Sequence, residues 1–262
     1  MLKRERLQYI TQIVNKKGIV TAAQIMQDLD VSDMTVRRDL DELEKSGKLI
    51  RIHGGAQSVN YNIDFELSHI EKATVNPEGK KEIAQQAATL IREHDTIFLG
   101  PGTTIELLAQ EIAGRPVRVV TNSLPVFNII SQKAPEQVIL AGGYFRSHTG
   151  CFVGPLCTQI LERLKFSAAF ISCNGIAEEQ ITTSSVEEGQ AQEIALNNAR
   201  FRYLLADEHK FNREDFYSYY KLYNMDALIT DTKTNEDVIS HYNQYIRIIQ
   251  PGKEPFDERS NI

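Results

Sequence analysis

Between about residues 77 and 230 the chain alternates short apolar runs with stretches of helical period. No other feature restricts its fold as much. The apolar runs centre on 96–99, 117–120, 137–141, 167–172, 202–206 and 227–230. Helix-forming segments at 80–92, 104–113, 125–131, 155–163 and 186–200 separate them. Each run is too short for a buried helix and lacks the polar alternation of a half-exposed strand, so it reads as a strand covered on both faces. Strands joined through helices imply a mostly parallel sheet, with ligands expected at its carboxyl edge.

Residues 3–49 have a different texture. Leu7, Ile10 and Val14 make an apolar stripe on a first helix that ends at Lys16-Lys17-Gly18. Thr21-Ala22-Ala23-Gln24 has the capping-box pattern and opens a second helix that buries Ile25, Met26 and Leu29. A third helix starts behind Ser32, presents Val36, Leu40 and Leu43 to the core, and stops at Ser46-Gly47. The alternating segment 48–52 and the turn His53-Gly54-Gly55 then predict a hairpin. Three short helices and a hairpin describe a winged helix-turn-helix, whose third helix enters the major groove of DNA. Ser32, Asp33, Thr35, Arg37 and Arg38 project from the start of that helix, and Arg51, His53 and Gly54 lie on the wing. Arginine suits bidentate contact with guanine or a phosphate clamp. The plainer alternative, a solvated face with local ion pairs, fits an isolated helix better than this ordered set.

The division is therefore a DNA-binding domain at 1–56, a polar linker at 57–75 and an α/β domain at 76–262. Charge follows the same division. The net charge of −6 separates into +2 over residues 1–56 and −8 over the rest, as expected for a nucleic-acid module joined to something else. Cys151, Cys157 and Cys173 form no CxxC pair, and the six histidines have no metal-ligand spacing. Reduced thiols in a cytoplasmic protein, with no metal and no cofactor, are expected. No apolar run approaches the ~18 residues of a membrane span, and the N-terminal segment is no signal peptide.

In the second domain, the first strand runs into Gly100-Pro101-Gly102-Thr103-Thr104 and a helix. Free N–H groups, the positive helix end and threonine hydroxyls make an anion cradle, although many strand–helix turns use the same residues only to turn and cap. Further polar strand ends are Asn122-Ser123, Gly142-Gly143, Asn174-Gly175 and Asp207-Glu208-His209-Lys210. A candidate pocket takes anion contacts from Gly102, Thr103, Thr104 and Lys210. Hydroxyl and loop contacts come from Asn122, Ser123, Gly143, Asn174, Gly175 and Asp207. The tyrosine-rich run 216–223 reads as half-buried packing rather than as a sugar site.

The segment SDMTVRRDLDELEKSGKLIRIHGGA resembles the signature of the DeoR family of bacterial sugar-catabolism regulators, with Thr35, Arg37, Arg38, Asp39 and Leu40 in the family motif. DTIFLGPGTT, VVTNS, VILAGG, FISCNGI and LLADEHKF follow the family's effector domain in order. The resemblance implies operator binding by an oligomer and an effector domain similar to sugar-phosphate isomerases. Within the family, SDMTVRRDL and FLGPGTTIELLAQEI are most similar to the branch that represses lactose phosphotransferase systems in response to tagatose 6-phosphate. Two stretches depart from these patterns. Glu208 and His209 stand where the family commonly has two serines, and Asn174-Gly175-Ile176-Ala177 replaces the isomerases' Asp-Gly-Ala-Asp. An isomerase needs a general base at the substrate carbon, and only Glu187 and Asp207 remain as candidates. A repressor that senses a phosphorylated sugar is therefore expected, the alternative being an isomerase-like enzyme with an added N-terminal domain. A second half that serves only to oligomerise is a third reading.

Overall fold

The computed structural model describes residues 3–17, 19–52, 54–58 and 69–252. Two compact units emerge, Met1–Glu66 and Leu67–Ile262.

The first unit comprises α1 (Lys3–Lys17), β1 (Ile19–Thr21), α2 (Ala22–Leu29), α3 (Asp33–Lys45), β2 (Leu49–Ile52) and β3 (Gly55–Ser58). Ile10, Val14, Ile25, Val36, Leu40, Leu43 and Leu49 close one core, drawn from the apolar stripe of each helix. The Thr21 hydroxyl accepts from Gln24 N while the Gln24 side chain accepts from Thr21 N, which completes the capping box. Asp30 ends α2 at φ 49°, and Ser32 caps α3 through Thr35 N. β1 was not anticipated. It pairs with β3 and makes the hairpin a three-stranded antiparallel sheet in the order β1-β3-β2. A three-residue strand next to a helix cap carries too little pattern to be read locally.

The second unit opens with α4 (His69–Thr74) and α5 (Pro77–Ala88), followed by β4 (Thr96–Leu99), α6 (Thr103–Ile112), β5 (Arg118–Thr121), α7 (Leu124–Ser131) and β6 (Val138–Leu140). A hairpin of β7 (Tyr144–Arg146) and β8 (Cys151–Val153) leads to α8 (Pro155–Glu162) and β9 (Phe166–Ser172). Then come β10 (Gly175–Ala177), β11 (Gln180–Thr183), α9 (Val186–Asn197), β12 (Ala199–Leu205), β13 (Tyr217–Lys221), β14 (Ala227–Ile229), α10 (Glu236–Tyr242) and β15 (Ile248–Ile249). Seven parallel strands form the main sheet in the order β15-β14-β12-β9-β4-β5-β6. Ile97 and Leu99 face a core with α5, α6 and α7, while Phe98 faces one with α8, α9 and α10. Two buried faces explain why the strands read as continuous apolar runs.

Several elements differ from the sequence-based expectation. Residues 69–74, assigned to the linker, form α4, which has too few apolar residues to show helical period. The helix expected over 186–200 ends at Asn197, because Ala199 already pairs with Phe166 in β9. The antiparallel pieces β7–β8 and β10-β11-β13 were unforeseen. The tyrosine-rich run forms β13 and its flanks, with Tyr219 buried and donating to Ser172 O.

Candidate functional site

In the first unit, α3 offers its first turns to the exterior. Val36, Leu40 and Leu43 face the core, which leaves Arg37 and Arg38 exposed on the opposite side. Arg37 Nε donates to Asp33 Oδ2 at 2.8 Å, one turn earlier. No ion pair or hydrogen bond engages the Arg38 side chain among the described residues. Ser32 and Thr35 are joined at 3.0 Å, so the cap holds both hydroxyls in place. Asp39, in the same motif, does different work. It is 1% exposed and paired with Arg6 of α1 through both carboxylate oxygens, which locks α3 onto α1. Arg51 is engaged within the unit. Its guanidinium folds back onto Asp41 and the Arg37 carbonyl, because those acceptors lie across from the wing strand. Gly54 makes the wing turn at φ 77°, and His53 lies outside the described residues.

In the second unit the strand order locates a cleft. From β4 the chain adds β5 and β6 on one side, then crosses to build β9, β12, β14 and β15 on the other. Strand order therefore reverses between β4 and β9, and in such sheets the crevice beyond the carboxyl ends of that pair is where a ligand can sit. A cleft enclosing about 550 Å³ of empty space, partly continuous with solvent, opens at this point. Pro101, Gly102, Thr103 and Thr104 line it from the β4–α6 turn, and Ser172, Cys173 and Asn174 from the end of β9. Lys210 reaches in from the loop after β12. Gly102 caps α6 at φ 132° with no side chain over the helix end, so the first N–H groups stay open.

Three lysines share the cleft: Lys72, Lys80 and Lys210. Lys72 Nζ donates to Asn174 Oδ1 at 2.9 Å, and Lys80 Nζ donates to the Lys72 carbonyl. Burial pushes the Lys80 ammonium down to about 8, against the pull of Asp207. Burial also lowers Lys210, again opposed by Asp207. His69 Nε2 lies 2.5 Å from Glu106 Oε1, and burial raises that carboxyl while His69 opposes the rise. Thr149, Thr183, Glu188 and Gln192 complete the lining. This is a concave site with concentrated positive charge, a helix N-terminus and a polar wall, suited to an anion that also carries hydrogen-bonding groups.

Five of the ten expected pocket residues line the cleft: Gly102, Thr103, Thr104, Asn174 and Lys210. The other five do not. Asn122 donates to Phe152 O and accepts Phe152 N on its own carbonyl, because β8 covers the end of β5. Ser123 caps α7. A Cβ at Gly143 would meet Val153 O at 2.4 Å, and one at Gly175 would meet Arg213 O at 2.3 Å, so both are packing glycines. Asp207 is buried behind the cleft, where Oδ1 accepts from His209 N and Oδ2 has no hydrogen-bond partner. Its charge reaches the site through Lys80 and Lys210. Sequence reasoning missed His69, Lys72, Lys80, Thr149, Thr183, Glu188 and Gln192. The Lys80-Lys81 pair was the one available signal, and it reads equally as a solvated helix face.

Residues 6–62 match the DeoR-like helix-turn-helix domain and residues 75–232 the DeoR C terminal sensor domain. The chain is 48% identical over 251 residues to a lactose phosphotransferase system repressor of Streptococcus mutans, covering 95% of this chain and 100% of that one. It is 42% identical to the protein of the same name from Lactococcus lactis, over 95% of this chain and 99% of that one. Among solved structures, a ribose 5-phosphate isomerase from Methanocaldococcus jannaschii matches 52% of this chain and 55% of its own, at 18% identity and a TM-score of 0.38. With both family domains matched and such identity to full-length relatives, the chain belongs to the DeoR family of helix-turn-helix regulators.

Proposed function

We propose that the protein is a cytoplasmic transcriptional repressor of a sugar-catabolism operon, that of lactose, released from its operator by a phosphorylated sugar such as tagatose 6-phosphate. The relatives named as repressors match almost the whole chain, which supports the repressor reading over an isomerase. One observation carries the effector reading: three lysines and an open helix N-terminus meet in one cleft at the reversal of strand order. A phosphate rewards that arrangement far more than a hydroxyl does. In this reading Gly102, Thr103 and Thr104 seat the phosphate, and Lys72, Lys80 and Lys210 neutralise it. On DNA, Ser32, Thr35, Arg37 and Arg38 meet the groove, and a homo-oligomer presents two such helices to half-sites spaced by whole turns.

A gel-shift titration at fixed salt, on an operator selected from a random duplex pool, tests both halves. Arg38→Ala is expected to weaken specific binding by about 1–3 kcal/mol while circular dichroism stays unchanged. Lys210→Ala is expected to bind the operator as the wild type does and to stay bound when tagatose 6-phosphate is added. Release of that variant at the wild-type sugar-phosphate concentration would falsify the placement of Lys210 in the effector site.

A further inference from the structure

One part of the cleft lining is built with unusual care. Glu188 and Gln192 lie one turn apart on α9 and both line the cleft, at 4% and 3% exposure. Every side-chain bond to Glu188 falls on a single oxygen. Oε1 accepts from Thr149 Oγ1, from Arg146 Nη1 at 3.2 Å and from Cys151 Sγ at 3.2 Å. Oε2 accepts from no described residue, yet it is not among the buried atoms sealed from solvent. Gln192 repeats the pattern. One end of its amide meets, at 3.4 Å, Tyr219 Oη, whose single proton also faces Ser172 O, and the other end meets no described residue.

Burying a carboxylate is costly unless it is paired, and Oε1 alone takes the pairing here. Arg146, Thr149 and Cys151 hold the group in one orientation, leaving the second oxygen presented to the cleft. The packing of α9 adds to this. A Cβ at Gly189 would meet the Tyr217 ring at 2.7 Å and Tyr219 Cβ at 2.8 Å, so the missing side chain lets the helix sit directly on β13. The result is an open carboxylate oxygen and the open end of an amide side by side on a rigid helix. Hydroxyls both donate and accept, and a polyhydroxy sugar satisfies such a pair. A second phosphate would meet the Glu188 charge and be repelled.

Resting on the sugar-phosphate reading above, we propose that Glu188 and Gln192 determine effector specificity by reading a sugar hydroxyl. That hydroxyl donates to Glu188 Oε2, and it or its neighbour bonds the open end of the Gln192 amide, while the phosphate sits at the cradle. The site thus selects a singly phosphorylated polyhydroxy sugar over inorganic phosphate and over bisphosphates.

Calorimetric titration of the full chain tests this with inorganic phosphate, tagatose 6-phosphate, and deoxy analogues of the latter that lack one hydroxyl each. For wild type, one deoxy analogue is expected to lose about 10- to 100-fold in affinity, the value of a hydrogen bond to a charged acceptor. In Glu188→Gln, tagatose 6-phosphate should lose a similar factor, the same analogue should lose almost nothing more, and inorganic phosphate should bind within about twofold of wild type. Should the amide variant fail to fold, Glu188→Asp keeps the charge, withdraws the oxygen by one methylene, and carries the same expectation. A wild-type preference for the sugar phosphate that survives either substitution overturns the role of Glu188 alone. Equal weakening of sugar phosphate and inorganic phosphate also overturns it, because the residue then acts only through general electrostatics. Wild-type binding of tagatose 6-phosphate no tighter than inorganic phosphate overturns the sugar-phosphate reading, and the Glu188 assignment with it.

Discussion

Lys80 is the residue whose charge matters most and whose environment opposes it. Burial lowers its ammonium to about 8, so near that pH the empty site holds only part of the proton. An anion that binds favours the charged form and draws the proton in. Between pH 7 and 9 a phosphate monoester keeps its second charge, with a pKa of ~6, so the change falls on the buried lysines, Lys80 and Lys210. Affinity for tagatose 6-phosphate is expected to fall by about fivefold from pH 8 to 9 where Lys80 alone titrates, with proton uptake over that range. Lys80→Met should flatten the profile, and calorimetry in buffers of differing ionisation enthalpy checks the uptake. Stability of the unliganded protein moves the other way. The folded state binds fewer protons than the unfolded state above pH 8, so folding gains as pH rises towards the ordinary lysine value. In the other unit, Asp39 shows how local reading misleads. Among acidic neighbours it looks like part of a solvated face, yet it is buried against Arg6, 33 residues away.

At the level of elements, α9 is positioned by what it lacks. Its apolar residues Ala191, Ala195 and Leu196 pack on the sheet, and Gly189 brings its first turn against β13. Gly189→Ala gains about 1 kcal/mol of helix propensity. The added methyl, however, meets an aromatic ring and a neighbouring Cβ at under 3 Å, and overpacking of that kind costs about 1–3 kcal/mol. A lower melting temperature is expected, with weaker tagatose 6-phosphate binding as Glu188 shifts. A melting temperature equal to or above wild type would show that α9 can move off β13 freely. The β7–β8 hairpin acts by covering instead. It occupies the carboxyl end of β5 and takes Asn122 and Ser123 out of the cleft, leaving the β4 and β9 ends open.

Across the whole molecule, charge and chemistry separate by unit. The acidic excess lies after residue 56, although the cleft within that acidic part gathers three lysines. Composition cannot show such a local inversion. The same cleft holds little that could abstract a carbon-bound proton. Asn174 is engaged by Lys72 and by Asp215, Asp207 does not line the cleft, and the open oxygen of Glu188 is taken up by a sugar hydroxyl in the reading above. No exchange of the C1 or C2 protons of tagatose 6-phosphate with deuterated water is expected above background, followed by proton NMR. Steady exchange abolished by Asp207→Asn or Glu188→Gln would move the protein to the enzymes.

Local sequence was sufficient for the helix caps, the apolar stripe of each helix in the first unit, and the buried parallel strands. Each of these is set by residues within a turn or two of one another. It also singled out Gly102, Thr103 and Thr104, which line the cleft, because a glycine turn and a helix start are adjacent in the chain. Only the tertiary structure could decide which polar strand ends share a cleft. That depends on strand order, on a hairpin folded over β5, and on α4 and α5 bringing Lys72 and Lys80 to the ends of β4 and β9. Lys72 and Asn174 are 102 residues apart, and Thr149 and Glu188 are 39 apart. Pairs that distant leave no periodicity to read. What joins them is burial, which makes an unpaired charge costly and so selects the partners that only the fold brings within reach.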